Sequence, residues 1–197
     1  MRQALRLAGL NCKLTGDGRA RLDLSVNNPA ATGTRIEIPA GLVCKAAGGE
    51  RVVVLRGAQL EVAAHGASDA QIPTAALSAK NPLLKSAVFT PAPDAEAKLE
   101  AVLKYLSTRT DVPRETSQLM VLAVLEDINF AQWQLFLAAQ REAEPAGQTH
   151  PTPAEITQAI DALGVLREIA PSQTFALASD AELKLRALRN PFCRAKA

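Results

Sequence analysis

Aromatic residues are scarce, 4% of the chain, and none occurs before Phe89. The first part of the protein must therefore build its core from small aliphatic groups, while Trp133, Tyr105 and the five Phe become identifiable anchors further on. The lack of rings bears on partners too. Readers of single-stranded nucleic acid interleave basic groups with stacking rings, so no nucleic-acid partner is expected. Cysteine is equally thin: Cys12, Cys44 and Cys193 stand far apart, with no C-x-x-C pair to hold a metal. They read as small hydrophobes. A Cys12 to Cys44 bridge needs facing strands and an oxidising compartment. The only two histidines, His65 and His150, lie beside Gly66 and Pro151 in loop-like surroundings, without a helical i, i+4 partner. No metal or cofactor is implied.

Long apolar runs are also missing, and no stretch approaches the roughly 18 apolar residues of a membrane span. Association with a membrane complex would have to be peripheral. The opening MRQALRLAGLNCKL turns polar before the apolar core of a signal peptide forms. The expected location is cytoplasmic if the numbered start is native, and extracytoplasmic if a signal peptide has been removed. The 22 Lys and Arg against 20 Asp and Glu leave a formal charge of +2, which rules out a polycation. That sum hides a division: residues 1–90 hold 11 basic and 6 acidic groups, residues 91–197 hold 11 and 14. The two parts are expected to attract one another.

What is present in the first part is period-two alternation. Ala20, Leu22, Leu24 and Val26 share one face of a strand, and Leu10, Cys12 and Leu14 alternate upstream, with Thr15-Gly16-Asp17-Gly18 as the turn between. Thr34–Ile38 repeats the pattern with Arg35 and Glu37 outward. Leu42 to Cys44, Glu50–Leu55, Gln59–Ala63 and a weaker Asp69–Leu77 follow. Short strands punctuated by Gly and Pro at such spacing mean a sandwich or a small barrel, and an immunoglobulin-like β-sandwich over residues 1–90 is the expected fold.

From Pro91 the period becomes helical. Leu99, Val102, Leu103 and Leu106 form one stripe; a second helix starts near Pro113 and is apolar almost all round to Ile128. Asn129 is placed to cap a third helix carrying Trp133 and Phe136. Thr152-Pro153-Ala154-Glu155 opens a fourth with a capping box, and Ser179-Asp180-Ala181-Glu182 repeats the signal before a fifth. The expected architecture is α+β: a β-sandwich domain (1–90), then a helical bundle (91–197).

No strong catalytic constellation emerges. There is no G-x-S-x-G elbow, and the glycine pairs precede strands rather than helices, leaving no phosphate cradle. Glu126 and Asp127 are adjacent, hence about 100° apart on a helix, which does not make an acid–base dyad. Three segments resemble the layout of bacterial thioester-type surface domains and their uncharacterised relatives. These are Ile38-Pro39-Ala40-Gly41-Leu42-Val43, Ile72-Pro73-Thr74-Ala75-Ala76-Leu77 and Ser117-Gln118-Leu119-Met120-Val121-Leu122. In that family a strand Cys and a helix Gln form an internal thioester. The resemblance puts Gln118 at the Gln position, but Ser117 replaces Thr, Met120 replaces Ala, and no Cys lies near Ala75 and Ala76, which implies that the reactive bond is absent.

The expectation is therefore a non-catalytic protein-interaction or structural accessory subunit of a larger bacterial assembly, with a protein partner. Its expected contact surfaces are edge strands, a basic face bearing Arg19, Arg21 and Arg35, and the groove between domains. The rival reading is an enzyme or ligand-binding protein using Gln118, Glu126, Asp127 or Trp133 in that groove.

Overall fold

The cleanest alternation, Arg21–Asn27, forms strand β2, in which Leu22, Leu24 and Val26 are buried while Arg21, Ser25 and Asn27 face solvent. Its antiparallel neighbours are β1 (Asn11–Gly16), in register with Leu14 opposite Leu24, and β7 (Ala67–Ala76), with Leu22 opposite Ile72. Five more strands follow the chain: β3 (Thr34–Ile38), β4 (Val43–Ala46), β5 (Arg51–Val54), β6 (Ala58–Val62) and β8 (Ala87–Pro91). The computed structural model describes residues 9–81, 84, 86–92, 96–139 and 152–178.

An immunoglobulin-like sandwich is not what these strands make. They close into an antiparallel barrel in the order β1-β2-β7-β5-β4-β8, while β3 and β6 form a separate two-stranded sheet. The element that closes the barrel is β8, which pairs with β1 on one side (Phe89 opposite Leu14) and with β4 on the other (Phe89 opposite Ala46). The alternation ending at Leu77 gives no sign of β8: its Val88 is exposed, its last residue is Pro91, and only Phe89 is buried.

All six barrel strands send side chains into one cluster, including Leu14, Leu24, Ile72, Val52, Cys44 and Phe89; Ile36, Ile38 and Val62 of the small sheet join it. The interior is thus a packed core, as in other small barrels. Phe89 is the one ring in that cluster among the described residues. The barrel also buries part of its outer side, where Val43, Val53 and Ala75 form a row across β4, β5 and β7.

Nor do the helices form one bundle. The chain divides into two compact units, Met1–Asp111 and Val112–Ala197, and the 3-10 turn Ala97–Leu99 with α1 (Glu100–Thr108) belongs to the barrel's unit. There Leu99, Val102 and Leu106 are buried. The Arg51 guanidinium pairs with Glu96 at 2.8 Å, and Arg56 Nε donates to the Leu106 carbonyl at 3.2 Å, so β5 and the turn after it hold α1 at both ends. Gly41, at φ +83°, lies under α1, and a Cβ there would sit 3.4 Å from Leu103 Cδ1.

The second unit contains α2 (Arg114–Glu126), α3 (Phe130–Ala138) and α4 (Pro153–Ile169). Helix α2 is buried without a break from Thr116 to Val124, and α4 packs against it. Helices α3 and α4 both start on capping boxes: Asn129 Oδ1 accepts from the Gln132 amide at 2.9 Å, and Thr152 Oγ1 from the Glu155 amide at 3.2 Å. The fifth helix read from Ser179 onward lies outside the described residues.

Candidate functional site

Strand β3 differs from the barrel strands in having one neighbour. Among the described residues it pairs only with β6, in register from Thr34 opposite Val62 to Ile38 opposite Ala58. The other side of β6 is occupied, because Ser68 of β7 donates its hydroxyl to the Glu61 carbonyl at 3.1 Å. That bond also fixes the hydrogen-bonding phase of the small sheet. With its carbonyl turned toward β7, Glu61 and its opposite number Arg35 form a non-hydrogen-bonded pair, and the bonded pairs are Thr34 with Val62, Ile36 with Leu60 and Ile38 with Ala58. The peptide groups of Arg35 and Glu37 therefore point away from β6, two N–H donors and two carbonyl acceptors along an edge that no other described strand pairs with.

The side chains follow the pleat. Ile36 and Ile38 are buried in the core cluster, whereas Arg35 and Glu37 stand on the exposed face beside Gln59 and Glu61 of β6. Arg35 Nη2 donates to Gln59 Oε1, and Arg35 lies directly opposite Glu61. Chemically, the arrangement is a five-residue strand edge with backbone groups free to extend the sheet and one charge of each sign on the same face.

The other residues singled out from the sequence are dispersed. Arg19 belongs to the turn between β1 and β2 and is only 3% exposed, with Nε and Nη2 donating to the Asn81 carbonyl at 3.0 and 2.6 Å. Burial lowers its pKa from the usual arginine value, an effect that neighbouring Asp17 opposes. It is an internal strut joining the β1–β2 turn to the segment after β7. Asp17 stiffens the same turn, its Oδ1 accepting from the Arg19 and Ala20 amides at 2.9 and 2.8 Å. Arg21 is exposed on β2 with Asp23 at 3.7 Å. Of the three arginines, Arg35 alone lies on the open edge.

Gln118 is buried in α2, and Trp133 is fully buried in α3, its ring stacked on Phe136 at 5.4 Å. Glu126 and Asp127 are exposed at the end of α2. Asp127 adopts φ +48° and its Oδ1 accepts from the Ala176 amide at 2.7 Å, tying the end of α2 to the segment after α4. Cys44, on β4, is buried in the barrel, and burial pushes its thiol up to about 11, far from a nucleophilic thiolate. Cys12 is exposed on β1, so the two thiols are separate. His65 occupies a left-handed turn position, φ +52°, and its amide donates to the Ala30 carbonyl at 3.0 Å.

Period-two alternation marks both Arg35 and Glu37 as outward, but nothing in TRIEI distinguishes a strand with one neighbour from a strand with two, so the sequence alone does not set Glu37 apart. Comparison with protein-family models, curated proteins and solved structures finds no match to the chain.

Proposed function

We propose that the chain is a non-catalytic protein-interaction module, an accessory or structural subunit of a larger bacterial assembly, that docks through the outer edge of β3. The observation that carries this reading is the pair of outward peptide groups at Arg35 and Glu37. An uncovered edge is a template for strand addition, in which main-chain hydrogen bonds give affinity and alternate side chains give selectivity. The test is a photo-cross-linking amino acid at Glu37, with Ser25, exposed on β2, as the control position, in the cells that make the protein. Cross-linked protein at position 37 and not at 25 supports docking through the edge. Equal yields, or none at 37, would remove the reading.

A second reading rests on the helical unit, where Thr116 Oγ1, Trp133 Nε1 and Gln158 Oε1 are buried with no hydrogen-bond partner among the described residues. Buried polar atoms ordinarily find partners; a small amide, whose oxygen accepts from Thr116 or Trp133 and whose N–H donates to Gln158, carries the donors and acceptors that these atoms lack. Titration of such compounds against Trp133 fluorescence discriminates, since a ligand at the indole N–H shifts the emission and a merely structural tryptophan stays unmoved.

A further inference from the structure

The sequence of β3, Thr34-Arg35-Ile36-Glu37-Ile38, has a symmetry that its place in the sheet turns into chemistry. In an antiparallel pair of identical strands, positions whose numbers share one sum face each other. Centring the pair on Ile36 puts Arg35 opposite Glu37 of the second copy, and Glu37 opposite Arg35, on the same exposed face. Centring on Arg35 or on Glu37 puts like charges face to face, which is destabilising. A shift by one residue sets buried isoleucines against exposed charges. Of the near registers, the one about Ile36 is therefore favoured by charge and by pleat together.

The hydrogen-bonding phase agrees with it. The groups free on the edge are the N–H and C=O of Arg35 and Glu37, so the Arg35–Glu37 pairs are hydrogen-bonded ones, each exchanging two bonds across the twofold axis. Arg35 keeps donors to spare for this, since its contact to Gln59 engages one of the five guanidinium N–H groups.

We propose that β3 pairs antiparallel with β3 of a second copy of this chain about Ile36, making a continuous four-stranded β6-β3-β3-β6 sheet across an isologous dimer. The proposal rests on the reading of the edge as a docking surface and names its occupant. A ribbon of this length buries much less than a standard interface, so the dimer forms weakly and is salt-sensitive.

Sedimentation of the full chain from about 20 µM to about 1 mM tests it, in the range where such small contacts populate. The native chain is expected to shift from monomer to dimer. Glu37→Arg leaves the Arg35–Glu61 pair inside each copy intact, since position 37 faces neutral Gln59, but creates two arginine–arginine contacts across the axis. It should weaken association about tenfold or more. The double variant Arg35→Glu with Glu37→Arg restores opposite charges in the same register and should recover dimerisation. So should an equimolar mixture of Glu37→Arg with Arg35→Glu, a pair that associates only with each other. Circular dichroism of each variant confirms that the barrel is folded.

A monomer throughout the range overturns self-pairing, as does a dimer indifferent to Glu37→Arg or not rescued by the double swap. The cross-link at Glu37 separates this failure from that of the broader reading. A product of two copies supports both, a product with another protein sustains docking but overturns self-pairing, and no product overturns both.

Discussion

Replacing Arg19 by Met measures how much the barrel depends on one buried cation. The side chain crosses from the β1–β2 turn to the segment that leads from β7 into the closing strand β8, and its two bonds to the Asn81 carbonyl are charge-assisted. Asn81 in turn donates through Nδ2 to the Arg51 carbonyl at 2.9 Å, so the strut also reaches β5. Methionine fills similar space but has no donor. The loss combines charged hydrogen bonds, about 1.5–3 kcal/mol net, with a buried carbonyl left unsatisfied, another 1–3 kcal/mol, partly offset because burying the cation also costs desolvation. About 3 kcal/mol of barrel stability should disappear. Because the chain has two compact units, a single melting temperature would mix them, and native-state amide exchange of Leu22, Leu24 and Ile72 reads the barrel alone. Their exchange should accelerate about 100-fold in Arg19→Met, a factor of ten per 1.4 kcal/mol. Arg19→Lys, which keeps the charge but not the fork, should fall between. Exchange unchanged by Arg19→Met would refute the idea that the strut holds the barrel closed.

Three further outcomes follow from particular contacts. Cys44 is held protonated, with its pKa at about 11 in the folded chain against an ordinary value of 9.0. Its contribution is therefore full below pH 9 and is lost as pH rises from about 9 to about 11, roughly 2–3 kcal/mol at most. Cys44→Ala should flatten that alkaline limb in denaturant titrations, and Cys12 should react with a thiol reagent in the native protein while Cys44 does not. Gly16→Ala should cost about 2–3 kcal/mol by overpacking, because a Cβ there would sit 2.5 Å from the Arg21 carbonyl oxygen and 2.7 Å from Leu22 Cδ2. The same exchange measurement on β2 checks this. Asp127→Ala should lose about 1–2 kcal/mol from the helical unit, since it removes the bond to Ala176 and leaves alanine at φ +48°, whereas Asp127→Asn keeps both features. Unfolding followed by Trp133 fluorescence should rank Asp and Asn above Gly, and Gly above Ala.

Where the chain alternates cleanly, local pattern and fold agree. Thr34–Ile38 is a strand with the limits its alternation suggests, and Asn129 and Thr152 cap helices through the boxes that their neighbours Gln132 and Glu155 complete. Which strands meet was not legible, because sheet order is a matter of long-range pairing that alternation does not encode. The decisive case is β8: a strand with a single buried residue, Phe89, ending in proline has no period to read, yet it joins β1 to β4 and closes an open five-stranded sheet into a barrel. Val53 shows the converse, an apolar residue between Val52 and Val54 that signals burial on both faces without naming what covers the second. Arg19 misleads for a related reason. As a charged residue next to an alternating strand it reads as outward, but it sits in the turn, where Asp17 and the Asn81 carbonyl draw it inside. For the candidate site, the charges on β3 were legible and the open edge was not; the latter depends on Ser68 of a distant strand occupying β6 from the other side.

The central claim, that β3 presents unpaired peptide groups at Arg35 and Glu37, is tested most directly by residue-resolved amide exchange in β3 at low and high protein concentration. In dilute solution the Arg35 and Glu37 amides should exchange quickly while Ile36 between them is protected by its bond to β6, and at high concentration the two fast amides should slow while Ile36 changes little. Uniform protection along Thr34–Ile38 in dilute solution would contradict the account, because the edge would then already be covered.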